Sequence, residues 1–334
     1  VSGKRNAKEI LAAVIREHYS LGQVGMPEPI PAAHQRRHRK LLVETTAGRF
    51  LVKTYTRNPY VLDALRFQHR LADHLLEHGL PVAQIQRATN GKRIVEMDTW
   101  ALELQEFVQG EAMVVSESTL ATATEALGRF HDVCRDFPRP SREARMWRFS
   151  EVPRETFGHL FERAKRAEGD TKTITDHCNV IALFLRDAAK ALDWDARGEF
   201  ETGLIHGDWH SGNLLFRGEE LVAILDLEFA GEGCYLEDLA YAISNLCIRT
   251  TAEPRPLAEH TEFLLQHYQR YRTLSFAEEA ALYYAVGVKH IATVCYQMEQ
   301  LGVVAGHSAS GWMALLAAQC NWLAQRANQA RWRT

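Results

Sequence analysis

Apolar positions follow two different regimes along the chain. Between residues 7 and 19, Ile10, Leu11, Val14 and Ile15 recur at helical spacing, and the Pro-rich stretch Pro27, Pro29, Pro31 ends the pattern. Strand patterns follow over residues 40–46 and 49–55, joined at Ala47-Gly48, where a hairpin needs a residue tolerant of positive φ. From 60 to 78 the period is helical again, with Leu62, Leu65, Leu71, Leu75 and Leu76 on a broad face before Gly79 and Pro81 stop it. Further strands are predicted over 84–87 and 92–96, turning at Asn90-Gly91, and over 100–108, ending at Gly110. Beyond Gly110 long helical patterns dominate: 117–133, 175–192, 236–247, 257–271, 276–301 and 308–329. One short hairpin interrupts them, 214–216 with 221–225, turning at Arg217-Gly218. The pattern predicts an α+β protein with an antiparallel sheet lobe carrying one long helix over 1–107 and a larger, mostly helical lobe over 108–334. The Arg-rich, turn-rich segment 138–154 reads as an exposed connection.

Composition narrows the classes. The 334 residues suit two domains, and 46% hydrophobic with 24% charged residues describes a globular chain able to bury a core. A net charge of −3 gives no electrostatic footprint for nucleic acid. The cysteines Cys134, Cys178, Cys234, Cys247, Cys295 and Cys320 form no C-x-x-C pair and read as reduced thiols, not a disulfide framework or a zinc site. The longest apolar stretch, 280–298, is broken by Lys289 and His290, so no membrane span is expected. Val1-Ser2-Gly3-Lys4-Arg5 leads into no apolar signal region, and the expected location is the cytoplasm. Nothing in the sequence fixes an oligomeric state.

The chemistry concentrates in Leu204-Ile205-His206-Gly207-Asp208-Trp209-His210-Ser211-Gly212-Asn213 and in Val222-Ala223-Ile224-Leu225-Asp226-Leu227-Glu228. An Asp and an Asn share one polar loop, and an apolar hairpin then delivers a second Asp at a strand end. Phosphoryl transfer from ATP needs such a set: a carboxylate on the acceptor hydroxyl, and an amide oxygen with another carboxylate for Mg²⁺. Mg²⁺ selects hard oxygen ligands of this kind.

These motifs resemble the aminoglycoside phosphotransferase superfamily, whose members share a two-lobed protein-kinase-like fold and phosphorylate hydroxyls of small molecules. H-G-D-x-x-x-x-N, a hydrophobic strand and D-x-E are similar to its catalytic and metal-binding motifs. Phe50-Leu51-Val52-Lys53 resembles the strand bearing the ATP-phosphate lysine, and Gln105-Glu106-Phe107-Val108-Gln109-Gly110 the interlobe hinge. Leu127-Gly128-Arg129-Phe130-His131 resembles the helix after the hinge, and Tyr235-Leu236-Glu237-Asp238-Leu239-Ala240 the segment after the metal Asp. The first lobe and residues 127–137 are most similar to the homoserine kinase branch.

The resemblance implies ATP and Mg²⁺ as cofactors and a small-molecule hydroxyl as acceptor: an amino alcohol, a hydroxy amino acid or an amino sugar. It implies Asp208 as catalytic base, Asn213 and Asp226 as metal ligands, Lys53 on the α/β-phosphates, and the adenine against Gln105, Phe107 and Val108. His206, His210, Glu228 and Glu237 are candidates for substrate contact or for support of the site. Trp209 and His210 lie inside the loop and could face substrate; Asp238 reads as serving a helix N-terminus, as a cap or through the helix dipole. The acceptor pocket is expected near Glu237, Tyr241 and residues 289–312.

The sequence departs from the family pattern in three places. Gln68 stands where a helix glutamate would pair with Lys53, residues 32–39 contain no glycine for a phosphate-covering loop, and Gly207-Asp208-Trp209-His210-Ser211-Gly212 replaces the Ala-Asp-Leu-Phe-Pro-Asp usual in homoserine kinases of this type. The basic run from Arg36 to Lys40 offers charges in place of glycines. Three other readings stay open: an atypical protein Ser/Thr kinase, a non-catalytic nucleotide-binding relative, and a metal-dependent phosphoesterase using His206, Asp208 and His210 with His34, His38 or His69.

Overall fold

The computed structural model describes residues 6–30, 40–138, 152–248 and 254–331. The 32–39 segment and nearly all of the 138–154 connection lie outside the described residues. The chain runs α1 (Ala7–His18), β1 (Glu28–Pro29), β2 (Lys40–Thr45), β3 (Gly48–Thr56), α2 (Pro59–Glu77), β4 (Val95–Glu96), β5 (Trp100–Glu106) and β6 (Glu111–Ala112). It continues through α3 (Glu117–Val133), α4 (Arg154–Glu168), α5 (Lys172–Ala191), α6 (Trp194–Arg197), β7 (Thr202–Ile205), β8 (Leu214–Arg217), β9 (Glu220–Ile224) and β10 (Gly231–Cys234). The last helices are α7 (Tyr235–Leu246), α8 (Pro254–Tyr268), α9 (Phe276–Leu301) and α10 (Ala309–Arg331). This is an α+β chain, with an antiparallel sheet in its N-terminal part and helices dominating after residue 112. It divides into two compact units, residues 1–111 with 215–228, and residues 112–214 with 229–334.

The first unit is built on an antiparallel sheet ordered β1-β2-β3-β5-β4. Side-chain alternation sorts its two faces. Phe50, Val52, Leu102 and Leu104 bury against Leu11, Val14 and Ile15 of α1, whereas Tyr55 and Ala101 meet Leu62 and Leu65 of α2. β5 is therefore covered on both sides, which is why it reads as a nearly continuous buried run. Asn58 caps α2 by accepting from the Val61 N–H, and Pro59 occupies its first turn. The strand predicted over 84–87 reduces to a single bridge, Ile85 to Gln105, and only Val95–Glu96 of the 92–96 stretch pairs. The chain touches β5 and then turns back at once, with the Ala88 N–H donating to Lys92 O, so there is no length for a ladder. The β8–β9 hairpin joins this unit where the Ile224 N–H donates to Pro81 O.

The second unit is helical, with one antiparallel pair, β7 with β10, that the apolar pattern does not announce. β10 is Gly-Glu-Gly-Cys and shows no alternation, because its glycines serve close packing. A Cβ on Gly203 would stand 2.0 Å from the Tyr235 hydroxyl, and one on Gly233 would stand 2.4 Å from Ile205 Cδ1. α4 was also missed, since its buried stripe is only Phe157, Leu160 and Ala164. α9 is buried all round from Ala281 to Ile291, which explains its unbroken apolar run. The charged and polar interruptions in that run are themselves buried: Lys289 Nζ lies 3.7 Å from the Tyr241 ring centroid, and His290 Nε2 pairs with Gln319 Oε1 at 2.9 Å. No helix among the described residues is long and apolar enough to cross a membrane.

Two glycines give opposite expectations. Gly203→Ala forces a methyl into the buried Tyr235 ring and should lower stability by about 1–3 kcal/mol. Gly158, inside α4, has nothing within 4 Å of its would-be Cβ. Gly158→Ala should therefore raise stability by about 0.5–1 kcal/mol. Urea unfolding of the two variants beside the parent checks both signs.

Candidate functional site

Within the first unit, a cavity of about 170 Å³ is lined by β3, α2, β5 with the residues after it, and the β9 end. Apolar walls come from Leu51, Val82, Ala83, Ile85, Leu215 and Ile224, and Gln105, Phe107 and Val108 form an edge. The backbone along that edge is already partly committed. The Glu106 N–H donates to Gln84 O and the Phe107 N–H to Arg49 O, so of these amides Val108 is the one left to meet a ligand. Phe107 contributes its ring instead, with the Arg49 guanidinium 4.7 Å from its centroid.

Lys53 lines the same cavity and sits directly across the ladder from Glu103. Glu103 is only 2% exposed. The Tyr55 hydroxyl donates to its Oε1 at 3.0 Å, and His69 Nε2 lies 2.6 Å from its Oε2. Burial pushes the Glu103 carboxyl up, but the His69 hydrogen bond, the Lys53 charge and the Tyr55 hydroxyl outweigh it and hold the group below its usual range. Gln68 also lines the cavity, as a neutral amide. Sequence reading missed Glu103 and Tyr55 because a strand Glu between two leucines looks like an exposed edge position. Only the covering of both faces of β5 makes it a buried acid.

Asp226 and Glu228 complete the cavity at the β9 end. Asp226 has φ 56°, the left-handed region that costs a non-glycine residue roughly 1 kcal/mol or more. Asp tolerates that region better than most residues, and the conformation terminates β9 and begins the 3₁₀ turn Leu227–Phe229. Both carboxylates contribute to raising the Tyr55 hydroxyl pKa, after burial and Glu103, so this cavity carries an acidic field beside the Lys53 ammonium.

In the second unit the loop after β7 is held from below. Asp238 accepts the His206 N–H on Oδ2 at 2.6 Å and the Gly207 N–H on Oδ1 at 2.8 Å. His131 Nε2 lies 3.1 Å from the same Oδ2, and its Nδ1 lies 2.7 Å from the Tyr268 hydroxyl. Burial, the largest influence on His131, lowers its pKa against the Asp238 hydrogen bond, so the ring is a neutral strut. Asp238 is thus no helix cap. Glu237 does that work, its Oε2 accepting the Cys234 N–H at 2.9 Å. Its Oε2 is thereby committed to the start of its own helix.

The loop carries Asp208 nearly buried, at 6% exposure. Oδ1 accepts from the Tyr241 hydroxyl at 2.7 Å, Oδ2 accepts from Asn213 Nδ2 at 2.8 Å, and His210 Nε2 stands 3.4 Å from Oδ2. Asn213 Nδ2 also donates to Asp208 O, so the amide nitrogen is fully used and its oxygen is the group left for a cation. His206 and His210 spend their Nδ1 atoms on backbone: His206 accepts the Asp208 N–H, and His210 accepts the Gly212 N–H. Trp209, which the sequence placed at a possible substrate face, is fully buried and stacked edge-on with His206. Tyr241 was named only as a pocket residue, and its bond to Asp208 has no signal in the sequence. Among the described residues no three His, Cys, Asp or Glu side chains converge as a metal cage. Asn213 Oδ1 in the second unit and the Asp226 carboxylate in the first are each a hard oxygen donor of the kind Mg²⁺ selects.

Comparison with known proteins places the chain. Residues 29–274 match the model of the phosphotransferase enzyme family, APH. Homoserine kinase of Nitrobacter hamburgensis is 30% identical over 244 residues, covering 72% of this chain and 69% of the relative. Homoserine kinase of Caulobacter sp. strain K31 is 27% identical over 285 residues, covering 81% and 80%. Among solved structures, an aminoglycoside phosphotransferase from Alicyclobacillus acidocaldarius superposes with a TM-score of 0.73 at 15% identity, covering 98% of both chains. A microcompartment-associated aminopropanol kinase superposes with a TM-score of 0.62 at 18% identity, covering 97% of this chain and 99% of the other. The chain belongs to the phosphotransferase enzyme family and is a small-molecule kinase that uses ATP to phosphorylate a hydroxyl group.

Proposed function

We propose that the chain transfers the γ-phosphate of MgATP in line, without a phosphoenzyme, to the hydroxyl of an amino alcohol, hydroxy amino acid or amino sugar. The observation that carries the reading is the state of Asp208. Burial alone would raise its pKa, but the His210 hydrogen bond and charge and the Tyr241 hydroxyl lower it to about 2. Such a carboxylate is a weak base and is always ionised at neutral pH. Phosphoryl transfer through a loose transition state asks for little early proton abstraction, so a fixed, ionised acceptor for the hydroxyl proton is the group it needs.

Other roles follow from placement. The cavity of the first unit takes the nucleotide, with the Val108 amide and the Gln105–Val108 edge against the adenine and Lys53 on the α/β-phosphates. Asn213 Oδ1 and the Asp226 carboxylate would hold Mg²⁺, which when bound supplies charge neutralisation on the phosphate oxygens. Residues 1–107 would then serve ATP, and 108–334 the catalytic loop and acceptor. Glu228 stays beside the phosphate end, and His210 keeps Asp208 charged. The relatives' names, homoserine kinase and aminopropanol kinase, support small amino-bearing alcohols as first acceptors to try. The family assignment fits a cytoplasmic enzyme, where ATP is supplied.

Two outcomes are expected. ADP release with MgATP over homoserine, choline, hydroxylysine, amino sugars and aminoglycosides should become acceptor-dependent for one class. Asp208→Ala should lose that turnover by several hundred-fold or more, on the order of what a positioned base supplies. Acceptor-independent ADP release equal in both proteins would rule the reading out. Separately, the folded Asp208 value lies below the ordinary 3.8, so the stabilisation it carries is present above about pH 4 and lost as pH falls toward 2. Tyr241→Phe removes one donor and should move the Asp208 midpoint up toward 3.8, readable by carbon NMR of the carboxyl.

A further inference from the structure

We propose that Glu103 is the carboxylate that positions Lys53 for the nucleotide phosphates, with His69 and Tyr55 holding it in place, so that the positioning acid comes from β5 and not from α2. This rests on the reading of Lys53 as the phosphate-binding lysine. A lysine that must point at phosphates needs an anion to fix its flexible four-carbon stem. α2 lines the cavity with Gln68, which carries no charge, His69, which is bound to Glu103, and the apolar Ala72. Among the described residues, Glu103 is the acid that the β3–β5 register sets directly opposite Lys53, where cross-strand Cβ atoms stand about 4.5–5.5 Å apart.

A purely structural role explains the arrangement less well. A buried carboxylate costs several kcal/mol unless paired, and a leucine at this position would satisfy a strand covered on both faces. The chain instead keeps an acid at 2% exposure and commits two further polar side chains to it, both on the cavity wall. His69 and Tyr55 fix the two oxygens separately, at 2.6 and 3.0 Å. That leaves the carboxylate unable to rotate while its charge acts on Lys53, and the Lys53 charge in turn helps hold Glu103 ionised. The arrangement is a fixed anion directly across the strand pair from a cation, which is what preorganised phosphate binding requires.

The test is a double-mutant cycle on ATP kinetics with the acceptor saturating. Glu103→Gln should lower kcat/KM for ATP by roughly 10- to 100-fold, as loss of a charged positioning contact does, with KM for the acceptor unchanged. Glu103→Asp, which keeps the charge, should recover part of the loss. In a Lys53→Ala background the same Glu103→Gln change should cost less than about 3-fold, because the group it positions is gone. A Glu103→Gln loss that persists undiminished in Lys53→Ala, or wild-type ATP kinetics in Glu103→Gln, overturns the proposal. Wild-type ATP kinetics in Lys53→Ala alone would instead overturn the phosphate role of Lys53. Should Glu103→Gln not fold, Tyr55→Phe carries the same cycle with a smaller loss. A Tyr55→Phe effect independent of Lys53 counts against the proposal equally.

Discussion

The carboxylate of Asp238 is the anchor on which the catalytic loop depends. Its two oxygens accept consecutive backbone N–H groups from His206 and Gly207 at the end of β7, and the neutral His131 ring closes the set. Gly207 takes φ 79° there, a conformation open to glycine without cost. Everything that follows in the loop is placed by this clamp: Trp209 goes into the core, His206 turns back to the Asp208 N–H, and Asp208 emerges toward Tyr241. A side chain that accepts backbone N–H groups fixes the chain as well as an extra strand would, and it does so where β10 is too glycine-rich to bring side chains of its own.

Two buried carboxylates are kept ionised by the same physics for different ends. Burial works against both Asp208 and Glu103, and hydrogen-bond donors reverse it in each case. Asp208 keeps a little exposure and faces a loop whose partners are a phenol, an amide and an imidazole. Glu103 is shut in a strand, with Lys53 opposite it in register on the neighbouring strand. The first arrangement suits a group that must receive a proton from a visiting molecule. The second suits a group that never leaves its place. Charge is thus held in a strand beside the cavity of the first unit, and in a clamped loop of the second.

Much of the fold could be read in the sequence, and what could not has physical causes. α3 and α9 span the residues the apolar period predicts, and the structure adds caps at their starts, Ser116 and Ser275 each accepting from the third residue of its helix. The β2–β3 hairpin follows from alternation and Gly48. β7 and β10 escaped because tight packing selected glycine over any strand-forming residue. The motif residues Asp208, Asn213 and Asp226 stand out because their chemistry is dense in a short stretch. Glu103, Tyr241 and Asp238 do not, since their meaning arises only when partners far away in sequence arrive beside them: His69 at Glu103, Asp208 at Tyr241, and the His206-Gly207 backbone at Asp238.

On the proposed function, phosphate passes directly from ATP to the hydroxyl of a small molecule. This step is tested most directly by following the label of γ-labelled ATP through a single turnover with pooled small alcohol acceptors, quenched on the millisecond scale. Direct transfer moves the label from ATP into a small molecule, with none carried on the polypeptide at any time. Label that first accumulates on the protein, or that comes to rest there, would contradict it.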